Sequence, residues 1–216
     1  MNDAPSTVGL IIFMAALGLL PFLMVTMTAF LKISVVMFII RNALGLQQTP
    51  PTMVLYSIAL ILTVFVSLPL IEDVSNRLSA RPLDFSSLDK LQASANVVKD
   101  PVKAYLIRFA KPGERQFFLS STARIWPESA RANVKDDDFI ILLPAFVSSE
   151  LTRAFEIGFL LFLPFLIIDI IVSNILMAMG MMMVSPTLIS LPLKLFLFVA
   201  VDGWSRLMHG LILSYE

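Results

Sequence analysis

Apolar residues run almost unbroken from Val8 to Leu31, then from Ile33 to Ile40 after a single lysine, Lys32. About 20 apolar residues cross the hydrocarbon core of a bilayer, so the first run predicts a membrane helix. Arg41-Asn42-Ala43-Leu44-Gly45 and then Pro50-Pro51 predict a turn, because glycine and paired prolines break helices. Thr52 to Ile71 predicts a second apolar helix, closed by Glu72-Asp73. Residues 1–71 therefore read as an apolar helical hairpin. Lys32 and Arg41 mark its connecting end, and basic residues favour the cytoplasmic side of short loops. That orientation places the N-terminus and the segment after Ile71 outside the cytoplasm. Met1 to Thr7 carries Asp3 and no basic residue, unlike a secretory signal peptide, so the first helix is expected to be retained.

Residues 72–138 break the apolar pattern. They hold 21 of the 32 charged residues, 11 basic and 10 acidic. Tyr105, Phe109, Phe117, Phe118 and Trp126 give the insert enough aromatic surface to fold as a small helical domain. Asp100-Pro101 predicts a helix start, an N-cap acceptor followed by proline at the first helical position. Val102, Leu106 and Phe109 follow at helical spacing, and Pro112-Gly113 predicts the stop. Asp136-Asp137-Asp138 precedes an apolar stretch, where acidic groups complement a helix N-terminus without any need for a metal.

From Phe139 to Val184 the chain is again nearly continuously apolar, 46 residues, or about 69 Å if fully helical. That is far longer than one bilayer crossing. Pro144 and Pro164 can kink it, and Glu150, Arg153, Glu156 and Asp169 interrupt it. Pro186 breaks it, and a last helix is predicted from Thr187 to Val201. Residues 139–216 thus form a second apolar hairpin, one that packs mainly against protein. The expected fold is all-α and membrane-associated, with about four nominal spans flanking a polar helical domain.

Composition agrees. The chain is 57% hydrophobic and 15% charged, against about 45–50% and about 25% in soluble domains, and its mean hydropathy is +0.85. Formal net charge is zero, which gives no reason to expect a nucleic-acid partner. There is no cysteine, so disulfides, thiolate metal sites and a cysteine nucleophile are excluded. His209 is the only histidine, and no phosphate loop or nucleophile elbow is present. No catalytic residue, cofactor or metal site is expected.

Two features remain to be placed. Asp169 lies inside Phe165-Leu166-Ile167-Ile168-Asp169-Ile170-Ile171, and Lys194 inside Leu191-Pro192-Leu193-Lys194-Leu195-Phe196. Charges in such settings face protein or water and find a partner. Glu150 and Asp169 are the candidate partners of Lys194 across helices or subunits; alternatively Asp169 and Lys194 are the relay of an ion- or proton-coupled carrier. The second feature is Met177-Ala178-Met179-Gly180-Met181-Met182-Met183, five of the twelve methionines in seven positions. Methionine is flexible and polarizable, so the run is either packing material or a deformable apolar constriction at a hairpin tip. Met181, Met182 and Met183, just before the Pro186 turn, are the constriction candidates, whereas Met177 and Met179 are expected to pack on the helix.

Leu142-Leu143-Pro144-Ala145-Phe146-Val147, Ser149-Glu150-Leu151, Ala154-Phe155-Glu156-Ile157-Gly158-Phe159 and Pro164-Phe165-Leu166-Ile167-Ile168-Asp169 resemble the signature of the FliP/SctR (YscR/HrcR-like) family. The likeness continues through the methionine run, Pro192-Leu193-Lys194-Leu195, Val201-Asp202-Gly203-Trp204 and the N-terminal Arg41-to-Gly45 turn with Pro50-Pro51. It covers nearly the whole chain and is weakest in the polar insert. This resemblance implies a non-enzymatic pore subunit of the type III secretion export apparatus at the bacterial inner membrane, raised in part towards the periplasm. It implies a pentameric ring with SctS/FliQ-like and SctT/FliR-like subunits, alongside SctU/FlhB-like and SctV/FlhA-like components, through which unfolded secreted polypeptides pass. It also implies that Met181, Met182 and Met183 form a gasket, and that the positions of Glu150 and Lys194 bridge subunits. Because the N-terminus lacks the basic leader frequent in flagellar members, the virulence or symbiosis injectisome branch is expected.

Overall fold

The structure, a computed structural model, describes residues 7–80 and 88–216; Asp3 and its neighbours lie outside the described residues. Those residues form nine α-helices and no strand: α1 (Thr7–Met27), α2 (Phe30–Ala43), α3 (Thr52–Ala80), α4 (Leu88–Phe109), α5 (Pro112–Ile125), α6 (Glu128–Arg131), α7 (Phe139–Ala178), α8 (Pro186–Ala200) and α9 (Gly203–Leu213). The all-α expectation holds. Two helices, α3 and α7, are long and apolar enough to cross a membrane; counting each broken pair, α1–α2 and α8–α9, as one span gives four.

Several boundaries differ from the sequence pattern. Glu72-Asp73 does not close α3, which continues to Ala80. Both residues are compatible with a helix, and Asp73 instead accepts from Arg77 one turn on, at 3.0 Å. Asp100-Pro101 does not start a helix either, because α4 runs through it from Leu88. No glycine or second proline precedes it in α4, so the segment stays helical and loses only the backbone bond that a proline cannot donate. The helix does stop before Pro112-Gly113, at Phe109, but these two residues then form the first turn of a new helix, α5. The short α9, which opens at Gly203 after Asp202, has no counterpart in the expected elements.

The chain divides into two compact units. One comprises Met1–Ala29 and Ser67–Glu150. In it, Leu106, Phe109, Ile141, Leu142 and Phe146 are buried, with the Tyr105 ring 4.9 Å from Phe109 and 6.0 Å from Phe146. Polar ties fix α4 and α5 to the start of α7. The Lys111 N–H donates to Ser149 Oγ at 2.8 Å, Ser148 Oγ donates to Glu114 at 2.7 Å, Lys103 meets Asp137 at 2.5 Å, and Arg115 meets Asp136 at 3.3 Å.

The second unit comprises Phe30–Val66 and Leu151–Glu216. Its centre is α2, whose Ile33, Val36, Met37, Ile40 and Ala43 are buried at the spacing of one helical face. Leu55, Ala59 and Leu62 of α3 are buried as well. Gly158 of α7 permits close approach to α2: a Cβ there would lie 2.4 Å from Ile39 Cδ1. The outer faces stay apolar and uncovered, including Ile61 and Phe65 on α3, Phe159 and Ile167 on α7, and Phe196 on α8. Such surface suits lipid or partner subunits rather than water.

Candidate functional site

The methionine run sits where α7 ends. The Met181 N–H donates to the Leu176 carbonyl at 2.9 Å and the Gly180 N–H to the Met177 carbonyl at 3.0 Å. This bond pair defines the Schellman ending, in which the residue just past the cap turns left-handed. Gly180 fills that place with φ +72°, a conformation open to glycine without steric cost. A further turn closes with the Val184 N–H on the Met181 carbonyl at 3.2 Å. Pro186 then opens α8 after an extended Ser185. The methionines are thereby presented by a tightly bonded turn between two helices. Met182 and Met183 are 86% and 101% exposed, and Met181 is partly covered. Met177 and Met179 do not pack on the helix as expected, and both are exposed. Successive side chains at a helix end splay around its axis, so not all of them can face a neighbour.

Lys194 projects from α8 and is almost fully buried. Its Nζ donates to Asp169 Oδ2 at 2.6 Å and to the Ala43 carbonyl at 3.0 Å. The second contact follows from how α2 stops. Gly45, at φ +77°, makes another Schellman ending, with Leu46 N–H on Arg41 and Gly45 N–H on Asn42. Helix ends leave several carbonyls without intrahelical donors, and Lys194 supplies one to Ala43 while meeting the negative end of the helix dipole. Glu150, the other candidate, belongs to the first unit and is fully buried.

Beside Glu150 in that unit, burial pushes the Tyr105 hydroxyl well above its ordinary pKa, and the Glu150 charge adds to the rise. Ser67 offsets this only in part, since neither hydroxyl oxygen reaches hydrogen-bond geometry with a partner. On the insert surface the Lys103 ammonium holds the Asp137 carboxyl below the usual range.

Sequence reasoning misplaced one lysine. Lys32 is not a loop cation marking an orientation, since it is fully buried within α2. Its Nζ lies 3.4 Å from the Tyr215 ring centre and donates to the Ser214 carbonyl at 3.3 Å, at the C-terminal end of α9. The signal was present, for one charge between two long apolar runs usually has a buried partner. Among the described residues no cluster of three or more His, Cys, Asp or Glu is placed to hold a metal ion.

The model of the FliP family matches residues 13–211. The chain belongs to the FliP family. It is 57% identical over 211 residues to the "Probable translocation protein y4yL" of Sinorhizobium fredii, covering 98% of this chain and 95% of that one. It is 48% identical to the "Harpin secretion protein HrpW" of Pseudomonas syringae, covering 95% and 99%. It is 46% identical to the "Yop proteins translocation protein R" of Yersinia pestis, covering 100% and 99%. The resemblance read from the residues is thus borne out. This FliP-family chain is a membrane-associated component of the type III secretion export apparatus, and its family is a structural part of that apparatus.

Proposed function

We propose that this FliP-family chain is a wall-and-seal subunit of an injectisome export gate. Copies of it, five by family pattern, surround a channel for unfolded polypeptides together with SctS/FliQ-like and SctT/FliR-like subunits, next to SctU/FlhB-like and SctV/FlhA-like components. The gate stands at the bacterial inner membrane. The insert of residues 72–138 faces the periplasm, and the hairpin of residues 139–216 carries Met181, Met182 and Met183 to the constriction.

The observation that carries this reading is the methionine tip, held by a turn with four backbone hydrogen bonds from Gly180, Met181, Met182 and Val184, while the Met182 and Met183 side chains stand exposed. A passing polypeptide presents side chains of all sizes. Unbranched thioether side chains on a fixed backbone can close around each with little geometric demand, and between substrates they collapse on one another and exclude ions. Asp169 and Lys194 serve as structure in this reading, because Lys194 is held by two acceptors at once.

The test replaces Met181, Met182 and Met183 together with alanine in the assembled system. Secretion is expected to continue while small solutes leak across the membrane. A tight triple mutant, with a normally assembled Asp169→Asn or Lys194→Met variant that loses ion coupling, would overturn the gate in favour of a carrier.

A further inference from the structure

Within the unit of Phe30–Val66 and Leu151–Glu216, a cleft of about 610 Å³ opens among α7, α8, α9 and the end of α2. That size is typical of small-molecule sites. Its walls are hydrocarbon, with Leu161, Phe165, Phe198 and Leu207 prominent. Two lining residues carry polar side chains, Ser214 and Arg206. Ser214 spends its hydroxyl on the Leu211 carbonyl at 2.7 Å. Arg206 is exposed and makes no side-chain hydrogen bond or ion pair with any described residue.

An apolar slot with one unpaired guanidinium matches a particular kind of occupant: a hydrocarbon chain attached to an anion. We propose that the cleft holds an acyl chain of an anionic phospholipid, whose phosphate sits on Arg206. Guanidinium presents paired N–H donors that fit phosphate oxygens two at a time. The surroundings place Arg206 at headgroup depth. Trp204, two residues away, packs edge-on against Phe198 at 5.3 Å, and tryptophan and arginine favour the membrane interface. The chain also breaks here, with α8 and α9 bent by 62°, which opens the slot between them. An uncharged helix in the same place would strip water from Arg206 and return no partner, an expensive arrangement. This inference does not depend on the gate reading.

The 216-residue chain with Trp126→Phe leaves Trp204 as its single tryptophan. Reconstituted in phosphatidylcholine nanodiscs, it is titrated with dibrominated phosphatidylglycerol or dibrominated phosphatidylcholine, whose bromines quench nearby indoles. Trp204 is expected to be quenched at about tenfold lower mole fraction of the anionic lipid, a ratio in keeping with one charge-assisted contact. Arg206→Gln is expected to erase that preference, and Arg206→Lys to keep most of it. Gly210→Leu is expected to fill the cleft, because a Cβ at Gly210 meets nothing within 4 Å, and to reduce quenching by both lipids to the bulk level. Circular dichroism confirms that each variant remains helical before it is scored. Equal quenching by the two lipids, or a preference that survives Arg206→Gln, would overturn the proposal. So would a Gly210→Leu chain that changes oligomer size and leaves the lipid preference intact, which would assign the cleft to a second copy.

Discussion

Tyr105 shows how the polar insert is anchored and how it can fail. Its ring packs against Phe109 and Phe146, yet its hydroxyl is buried with no hydrogen-bond partner. Burial first, and the Glu150 charge second, raise its pKa. The folded chain therefore holds the neutral phenol, while the unfolded chain ionises near pH 10. Stability from this group is complete below about pH 10 and falls as pH rises from there towards the folded pKa. Tyr105→Phe is expected to be neutral, or to stabilise by about 1 kcal/mol, since it deletes an unsatisfied buried group. It should also flatten the alkaline loss of stability, which chemical denaturation at pH 8 to 11 in detergent will show. The aromatic character of the insert was legible from sequence, and the lone hydroxyl was not. Whether a buried oxygen meets a donor depends on ångström-scale placement, which spacing alone does not encode.

At the scale of elements, two buried lysines do the same work. Lys194 meets the last turn of α2 through Ala43, and Lys32 meets the last residues after α9 through Ser214. Helix C-termini carry partial negative charge and spare carbonyls, so a buried ammonium there is stabilised by geometry that a lone carboxylate cannot provide. Lys194→Met is expected to cost about 1–3 kcal/mol, because it leaves the Ala43 carbonyl without its donor and Asp169 without its cation. Asp169→Asn is expected to cost more, since it leaves the Lys194 ammonium, 6% exposed, without a counter-charge, whereas the Asp169 carboxylate left by Lys194→Met is 40% exposed; thermal melts of the two variants in one detergent rank them. Sequence patterning found the long apolar helices and the need of Lys194 for a partner. It could not see that the partner would include a helix end, since this requires knowing where α2 stops in space. It also misjudged Asp100-Pro101 and overlooked α9. Single caps and short helices carry weak local signals, and tertiary packing outweighs them. Asp202 shows why: it adopts the left-handed conformation at φ 52° so that Gly203 can approach the Phe198 ring, where a Cβ would lie 2.4 Å from Cδ2.

For the molecule as a whole, fold class and family were both readable from the chain, because a long ordered set of motifs survives where single elements do not. What the structure adds is the contrast between methionines. Met37 is fully buried, whereas Met182 and Met183 are open to solvent. Thioethers oxidise to sulfoxides at a rate set by access, and the product is polar and chiral. Dilute peroxide followed by peptide mass spectrometry is expected to modify Met182 and Met183 in the isolated chain and to spare Met37. Assembly with partner subunits should slow the reaction at the tip if neighbouring copies gather there, and leave it unchanged if the tip stays in open solvent. The same chemistry carries a liability for the cell. In the seal proposed above, oxidants would convert the apolar thioethers of Met182 and Met183 into polar sulfoxides, and methionine sulfoxide reductase would become the activity that restores it.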